Sequence, residues 1–468
     1  MQNPPSSNSS KWFILLAIGI GTFMSALDGS VVNTILPVVR VSLGSDLAAI
    51  QWVVVVYLLA VSGLLLTLGR LGDLRGHRVV YLSGFVIFIT GSALCGQAQT
   101  AGALIGFRAL QALGAAALFS NSPAILTSAF PSVQRGQALG IQATMTYLGL
   151  TAGPSLGGWL AQAVSWRAVF NINVPVGLIA LGLAYRFVPR DRHDHGEERF
   201  DIPGALLFTA GLVALLLGLN QGSNWGWSSL PILALLAGAL ILLAAFVLFE
   251  SRVRWPMLDL TLFRNRTFTA AAVSAVCNYM GMYMVLFLLP FYLIQARGFT
   301  SAQAGLILTA QPVIMAIVAP ISGTSSDRIG SRLPATLGML IMAGGFILLS
   351  SLRPTTPILH ICVGLAVCGL GSGMFASPNN SSLMGAAPRN RQGIASGMLA
   401  MARNVGMVLG VGLSGAILTS FASADAAQGI YQAMRPGFLI GAGIALVAAV
   451  ASALRQRLLP VMKPDERN

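Results

Sequence analysis

Charge is scarce in this chain. Asp, Glu, Lys and Arg make up 9% of its 468 residues, and only 14 of them are acids. A soluble globular domain has about a quarter of its residues charged, so that class is excluded. Cysteine is scarce too: Cys95, Cys277, Cys362 and Cys368 all fall inside apolar runs without metal-like spacing. They read as small buried hydrophobes, and no disulfide framework is implied. The four histidines lie outside the depths of any apolar run, and there is no HExxH and no Walker loop. With no catalytic constellation visible, an enzyme is not expected. His193, Asp194 and His195 adjoin one another, but they lack further ligands nearby, and a solvated loop accounts for them better than a metal site. Neither a metal nor an organic cofactor is expected.

Apolar residues are abundant: 55% of the chain is hydrophobic, mean hydropathy is +0.76 and there are 52 glycines. Runs of about 20 apolar residues recur, each long enough to cross a hydrocarbon core of roughly 30 Å as a helix. The alternating ten-residue pattern of a membrane β-barrel is missing. Spans are read near residues 12–36, 50–69, 79–97, 101–122, 136–163, 167–187, 202–220, 230–250, 267–295, 303–323, 333–351, 357–380, 393–421 and 436–458, fourteen in all. The first is longer than the apolar region of a signal peptide and reads as a retained span. Asn220 to Ser229 reads as an external turn with interfacial Trp225 and Trp227.

The net charge of +14 raises the question of nucleic acid, but the basic residues sit in short loops between spans, not on one face or tail. Topology explains them. With the amino terminus inside, Arg40, Arg167, Arg297, Arg353 and Arg435 fall outside, Arg108 and Arg403 lie within the membrane, and the other 21 of 28 Lys and Arg are cytoplasmic. The positive-inside rule therefore predicts both termini in the cytoplasm.

An internal repeat organises the spans. Gly69, Asp73, Gly76 and Arg78 in GRLGDLRGHR recur 254 residues later as Gly323, Asp327, Gly330 and Arg332. Pro131, Gly136, Gly140, Gly149, Gly153 and Gly158 recur 257 residues later as Pro388, Gly393, Gly397, Gly406, Gly410 and Gly415. Two six-span halves in parallel orientation follow, residues 1–188 and 267–468, as in transporters built from repeats about an axis normal to the membrane. Residues 189–266 are left over as a polar linker and two inserted spans.

One stretch, LDGSVVNTILP, places the acid Asp28 inside the first apolar span. Charge at a helix centre is unfavourable by roughly 2.5 to 3.5 kcal/mol, so such a residue is functional by default and has a partner. Arg108 is the candidate. Asp28 lies about 13 Å from the outer end of span 1 and Arg108 about 10 Å from the outer start of span 4, at 1.5 Å per residue. Burial favours the neutral acid and a neighbouring arginine favours the carboxylate, so the balance can change as a cavity alternates between wet and dry faces. A static ion pair locking spans 1 and 4 is the plainer alternative.

The two halves and the GRLGDLRGHR loop resemble the major facilitator superfamily. LDGSVVNTILP, GLTAGPSLGG in span 5 and WRAVFNINVPVG before span 6 are similar to its fourteen-helix drug:proton antiporter branch. The resemblance implies an all-α membrane protein that exports small drugs, dyes or antibiotics, amphipathic or monocationic, in exchange for protons. The proton gradient would be its only energy source. It would work as a monomer in the cytoplasmic membrane, and a proton-coupled uptake symporter or a dedicated metabolite exporter of the same fold is the alternative. Spans 1 and 4 line the cavity in that family, and Arg108 with Gln111 fits its span 4 pattern. Gly149, Gly153 and Gly157 share one helix face beside Pro154 and Gly158, which allows close packing and favours a bend. In the family this pattern marks antiporters and is held to seal a proton leak.

Gating is expected from the loop acids. By pseudo-symmetry, Asp73 should meet the start of span 13 beside Arg391, and Asp327 the start of span 5 beside Arg135, where an acid is favoured by the helix dipole. Leu74 stands where the family carries arginine, so the two latches are expected to be unequal. Candidate substrate contacts are Gln111, Gln142, Met145, Asn278, Met282, Tyr283 and Gln311, since methionine adapts and aromatic faces accept cations. With Asp28 as the one deep acid, neutral or monocationic substrates are favoured. Arg403 has no visible acid; Asn379, Asn380 or backbone carbonyls are candidate partners.

Overall fold

The computed structural model describes residues 8–45, 47–190, 199–226, 228–388, 391–421 and 426–455. Every regular element among them is helical. In hydrocarbon a backbone must satisfy its own polar groups, and a helix does so within one segment. The first half comprises α1 (Asn8–Ser42), α2 (Leu47–Arg75), α3 (His77–Gln97), α4 (Ala101–Ala129), α5 (Arg135–Ala163), α6 (Trp166–Asn171) and α7 (Asn173–Phe187). The inserted pair is α8 (Ile202–Trp225) and α9 (Leu230–Glu250). The second half comprises α10 (Arg266–Pro290), α11 (Ser301–Leu308), α12 (Ala310–Ile329), α13 (Arg332–Ser350), α14 (Ile358–Ala386), α15 (Gln392–Ser420) and α16 (Ala426–Ala453).

Among the described residues 13 helical stretches are long and apolar enough to cross a membrane. Two of them join short helices, α6 with α7 across Ile172 and α11 with α12 across Thr309. The expected fourteenth span, α5, is a continuous helix through position 154 but is not among the thirteen. Its glycines, threonines and glutamines dilute the apolar run.

The repeat is visible in the packing. α1 lies on α5 as α10 lies on α15, α2 on α4 as α12 on α14, and α3 on α4 as α13 on α14. The turns repeat as well. Gly76 ends α2 at φ 98° and Gly330 ends α12 at φ 86°, a left-handed conformation that favours glycine. The 254-residue spacing of these two glycines thus encodes the same tight turn twice.

The inserted pair docks through α8. Thr209 Oγ1 donates to the Gly63 carbonyl of α2 at 2.9 Å, and α8 also touches α15. α9 packs on α8 and exposes Leu233, Leu240, Ile241 and Leu248 on its far side, as a lipid-facing helix would. The base of the pair is closed by Asp201 and Glu250, both buried. Asp201 caps α8 at Gly204 N, and Glu250 accepts from Leu258 N at 3.3 Å. Their remaining oxygens, Asp201 Oδ2 and Glu250 Oε1, face the same point beside Gly204, and no donor reaches either.

Two boundaries differ from expectation. α8 continues through Trp225, so the turn is confined to the residues after it; Trp227 lies outside the described residues. α16 begins at Ala426, not near 436, which puts exposed Arg435 within a helix instead of at a span end. Its early turns gain a protein neighbour: Tyr431 Oη donates to the Ala296 carbonyl at 2.6 Å. His193, Asp194 and His195 lie outside the described residues.

Candidate functional site

Asp28 and Arg108 form a salt bridge of 2.5 Å, and both side chains are 0% exposed. The pair sits in a closed ring of donors. Gln111 Nε2 and Asn173 Nδ2 donate to Asp28 Oδ1 at 2.9 and 3.0 Å, while Arg108 Nη1 also donates to Gln111 Oε1 at 2.7 Å. Gln111 Nε2 donates further to Ser92 Oγ, and Arg108 Nε to the Val53 carbonyl at 3.2 Å. The guanidinium carbon lies 4.0 Å from the centre of the Tyr57 ring. Helices α1, α2, α3, α4 and α7 therefore converge on one carboxylate. Arg108 Nη2 alone has no partner.

The glycines of α5 hold α1 in place around this group. Gly149 abuts the backbone of Phe23 and Leu27, Gly153 that of Leu27 and Val31, and Gly157 Val31 itself, so a methyl group on any of them would collide with α1. Close backbone approach is what such small-residue faces permit. Gly158 is half-buried on the same helix.

At the aligned positions the second half has no ion pair. Gly406 and Gly410 meet α10 at Val276 and Met280 as Gly149 and Gly153 meet α1 at Phe23 and Leu27, which aligns Asp28 with Gly281. Gly91 abuts Gln111 and Gly345 abuts Cys368, which aligns Gln111 with Cys368 and Arg108 with Leu365. Where the first half carries an ion pair, the second carries apolar packing against Met342 and Phe346.

The halves meet at one end of the bundle. Asp73 accepts the amide N–H groups of Gly393 and Ile394 at 2.6 and 3.0 Å, with His77 Nε2 3.5 Å away. Asp327 accepts those of Gly136 and Gln137 at 2.9 and 3.1 Å. The first amides of a helix lack intrahelical partners, so a carboxylate from the other half completes them. Each acid thus lies at the expected helix start, but its partners are the backbone amides just past Arg391 and Arg135. The two contacts differ in exposure, Asp73 being buried and Asp327 half-buried. Arg78 turns away to the Tyr185 carbonyl of α7. Thr144 Oγ1 donating to Ala316 O at 3.0 Å and Ser377 Oγ donating to Gly136 O at 2.5 Å add to the closure.

Between the halves lies a cavity of about 60 Å³. Drug-sized ligands occupy pockets of roughly 300 Å³ or more, larger than this one. Gln142, Met282 and Tyr283 line it as expected, joined by Phe119, Tyr147, Tyr279, Ser396 and Arg403. Other expected contacts lie elsewhere. Gln111 belongs to the ion-pair ring, Met145 packs against Gly19, Asn278 accepts from Ser372 Oγ at 2.9 Å, and Gln311 is buried against Gly369. Helix rotation, invisible in composition, turns these four away. Arg403 stacks on Phe119, its guanidinium carbon 4.4 Å from the ring centre. Asn379, a candidate partner for it, instead accepts from Arg455 Nη2. Arg455 lies just beyond α16, and burial pushes its guanidinium down to about 10.

Comparison with known proteins decides the family. The model of the Major Facilitator Superfamily matches residues 18–252 and 271–468. The chain belongs to the Major Facilitator Superfamily. It is 37% identical over 400 residues to the riboflavin transporter RibZ of Clostridioides difficile, covering 86% of each chain. It is 34% identical over 419 residues to the multidrug resistance protein Stp of Mycobacterium tuberculosis, covering 89% of this chain and 78% of that one. In fold it is similar to the human organic anion transporter MFSD10, with TM-score 0.68, 14% identity, and coverage of 96% of this chain and 100% of that one.

Within this superfamily member, sequence reading found Asp28, Arg108 and Gln111 but missed Asn173 and Ser92. Asn173 lies in WRAVFNINVPVG, a stretch already distinctive, but nothing in it marks which asparagine turns inward. The expectation of neutral or monocationic guests rested on Asp28 as the one deep acid. That acid is sealed in its own ring outside the cavity wall, whereas Arg403 is part of the wall.

Proposed function

We propose that this superfamily member is a proton-coupled exporter of small amphipathic drugs, dyes or antibiotics. One observation carries the reading: a single carboxylate, 0% exposed, is held against an arginine by donors from helices of one half only. A proton taken up by Asp28 removes the charge that orders this ring, and loss of the proton restores it. Coupling the ring to the glycine-packed α1–α5 seam lets protonation bias which end of the bundle opens. Α5 serves as the fourteenth span, both termini lie in the cytoplasm, and the Asp73–Asp327 end is the cytoplasmic gate of a protein in the cytoplasmic membrane. No cofactor is needed, because each charge crossing 100 mV supplies about 2.3 kcal/mol. The Stp relationship and the glycine face of α5 support export.

The test is a vesicle assay with the purified monomer. An imposed pH gradient should drive dye against its concentration gradient, and adding substrate should release protons; Asp28→Asn should abolish both. Intact gradient-driven transport in Asp28→Asn rejects the reading. The relationship to RibZ favours a second reading, a dedicated metabolite transporter. Riboflavin flux in the same vesicles, absent for dyes, would support it, and accumulation in the direction of proton flow would indicate symport.

A further inference from the structure

We infer that the central cavity takes aromatic molecules that carry a negative charge, with Arg403 as their counter-ion. The inference rests on this cavity being the transport site and names the substrate class it accepts. Arg403 is half-buried in the cavity wall, and among the described residues no acid pairs with it and no hydrogen bond takes its donors. Arg108, the other cation at depth, has Asp28. A cation in a membrane protein's interior without a protein partner is unfavourable and marks a binding function. Stacking on Phe119 occupies one face of the guanidinium and leaves its edge donors to a guest.

Two further groups point the same way. Ser396 Oγ, in a residue 0% exposed, makes no hydrogen bond of its own, and Tyr147 Oη, in a residue 3% exposed, lies beside Tyr279; both residues line the same cavity. Hydroxyl donors beside an arginine suit a sulfonate, carboxylate or phenolate. Tyr279 and Tyr283 complete an aromatic wall against which a flat ring can stack. Among the described residues no acid lines the cavity. A cationic guest would meet a fixed positive charge and no compensating negative one. Exchange of one inward proton for one outward monoanion moves two charges in the same electrical sense, so the membrane potential drives it twice as strongly as export of a neutral guest.

The experiment uses the full chain in lipid nanodiscs and three probes that share one ring system and differ in charge: naphthalene-2-sulfonate, naphthalene-2-methanol and naphthalene-2-methylammonium, with affinities read by calorimetry. The sulfonate should bind at least tenfold more tightly than the ammonium. Arg403→Gln should weaken the sulfonate at least tenfold and tighten the ammonium, and Arg403→Lys, which keeps the charge, should preserve the wild-type order and control for folding. Tighter binding of the ammonium to the wild type, no binding of the sulfonate, or equal weakening of all three probes by Arg403→Gln overturns the inference. Sulfonate binding without gradient-driven flux would reject the export reading alone, and gradient-driven flux confined to cations would reject this inference alone.

Discussion

Gly69 and Gly393 meet backbone to backbone across the two halves. A methyl group on either would stand closer to the other's carbonyl oxygen than real side chains come, and Gly136 and Gly323 repeat the relationship at the pseudo-symmetric position. These glycines let the Asp73 and Asp327 carboxylates reach the helix starts beside them. Gly69→Ala should therefore disfavour the closed end by about 1–3 kcal/mol, the usual effect of overpacking. Spin-label distances between α2 and α15 should shift to a longer population. An unchanged distribution would show that the contact does not hold the gate.

Removing either member of the Asp28–Arg108 pair leaves an uncompensated buried charge. Asp28→Asn and Arg108→Gln should each lower unfolding stability by about 3–5 kcal/mol. The double variant should recover much of that loss without recovering proton-driven transport. Thermal unfolding of the four proteins checks the first claim, and strictly additive losses would contradict it.

Asn173 donates to the Asp28 carboxylate at 3.0 Å. A hydrogen bond to a charged group contributes about 1.5–3 kcal/mol, so Asn173→Ala should lower stability by that amount in the wild type and by much less in Asp28→Asn. Equal losses in both backgrounds would place the energetic role of Asn173 elsewhere.

Asp201 and Glu250 bring two acceptor-only oxygens to one point at the base of the inserted pair. A donor placed between them satisfies both. Glu250→Gln, whose amide supplies one, should keep or raise the thermal midpoint, while Glu250→Ala should lower stability by about 1–3 kcal/mol. If the two substitutions behave alike, the two oxygens facing Gly204 do not set the stability of this corner.

Much of the architecture is legible in the chain because bilayer thickness demands an apolar run of about 20 residues for every crossing. The contacts between the halves are legible through the 254- and 257-residue repeat, although the backbone amides that Asp73 and Asp327 meet carry no mark in the sequence. A helix start offers orphan donors whatever its side chains are, so the partner cannot be found by looking for charge. Asp28 and Arg108 stand out because ions are rare at depth. Uncharged Asn173 and Ser92 do not, being two among many polar residues in the spans.

The order of residues by itself determined the helices, the two halves, the inserted pair and the presence of one deep acid, since each follows from local hydropathy or from a repeat in register. Only the tertiary structure decided that this acid is walled off in its own ring and that the cavity beside it presents a cation. Which way a side chain points depends on the rotation of its helix, and contacts of a few ångströms with distant glycines set that rotation.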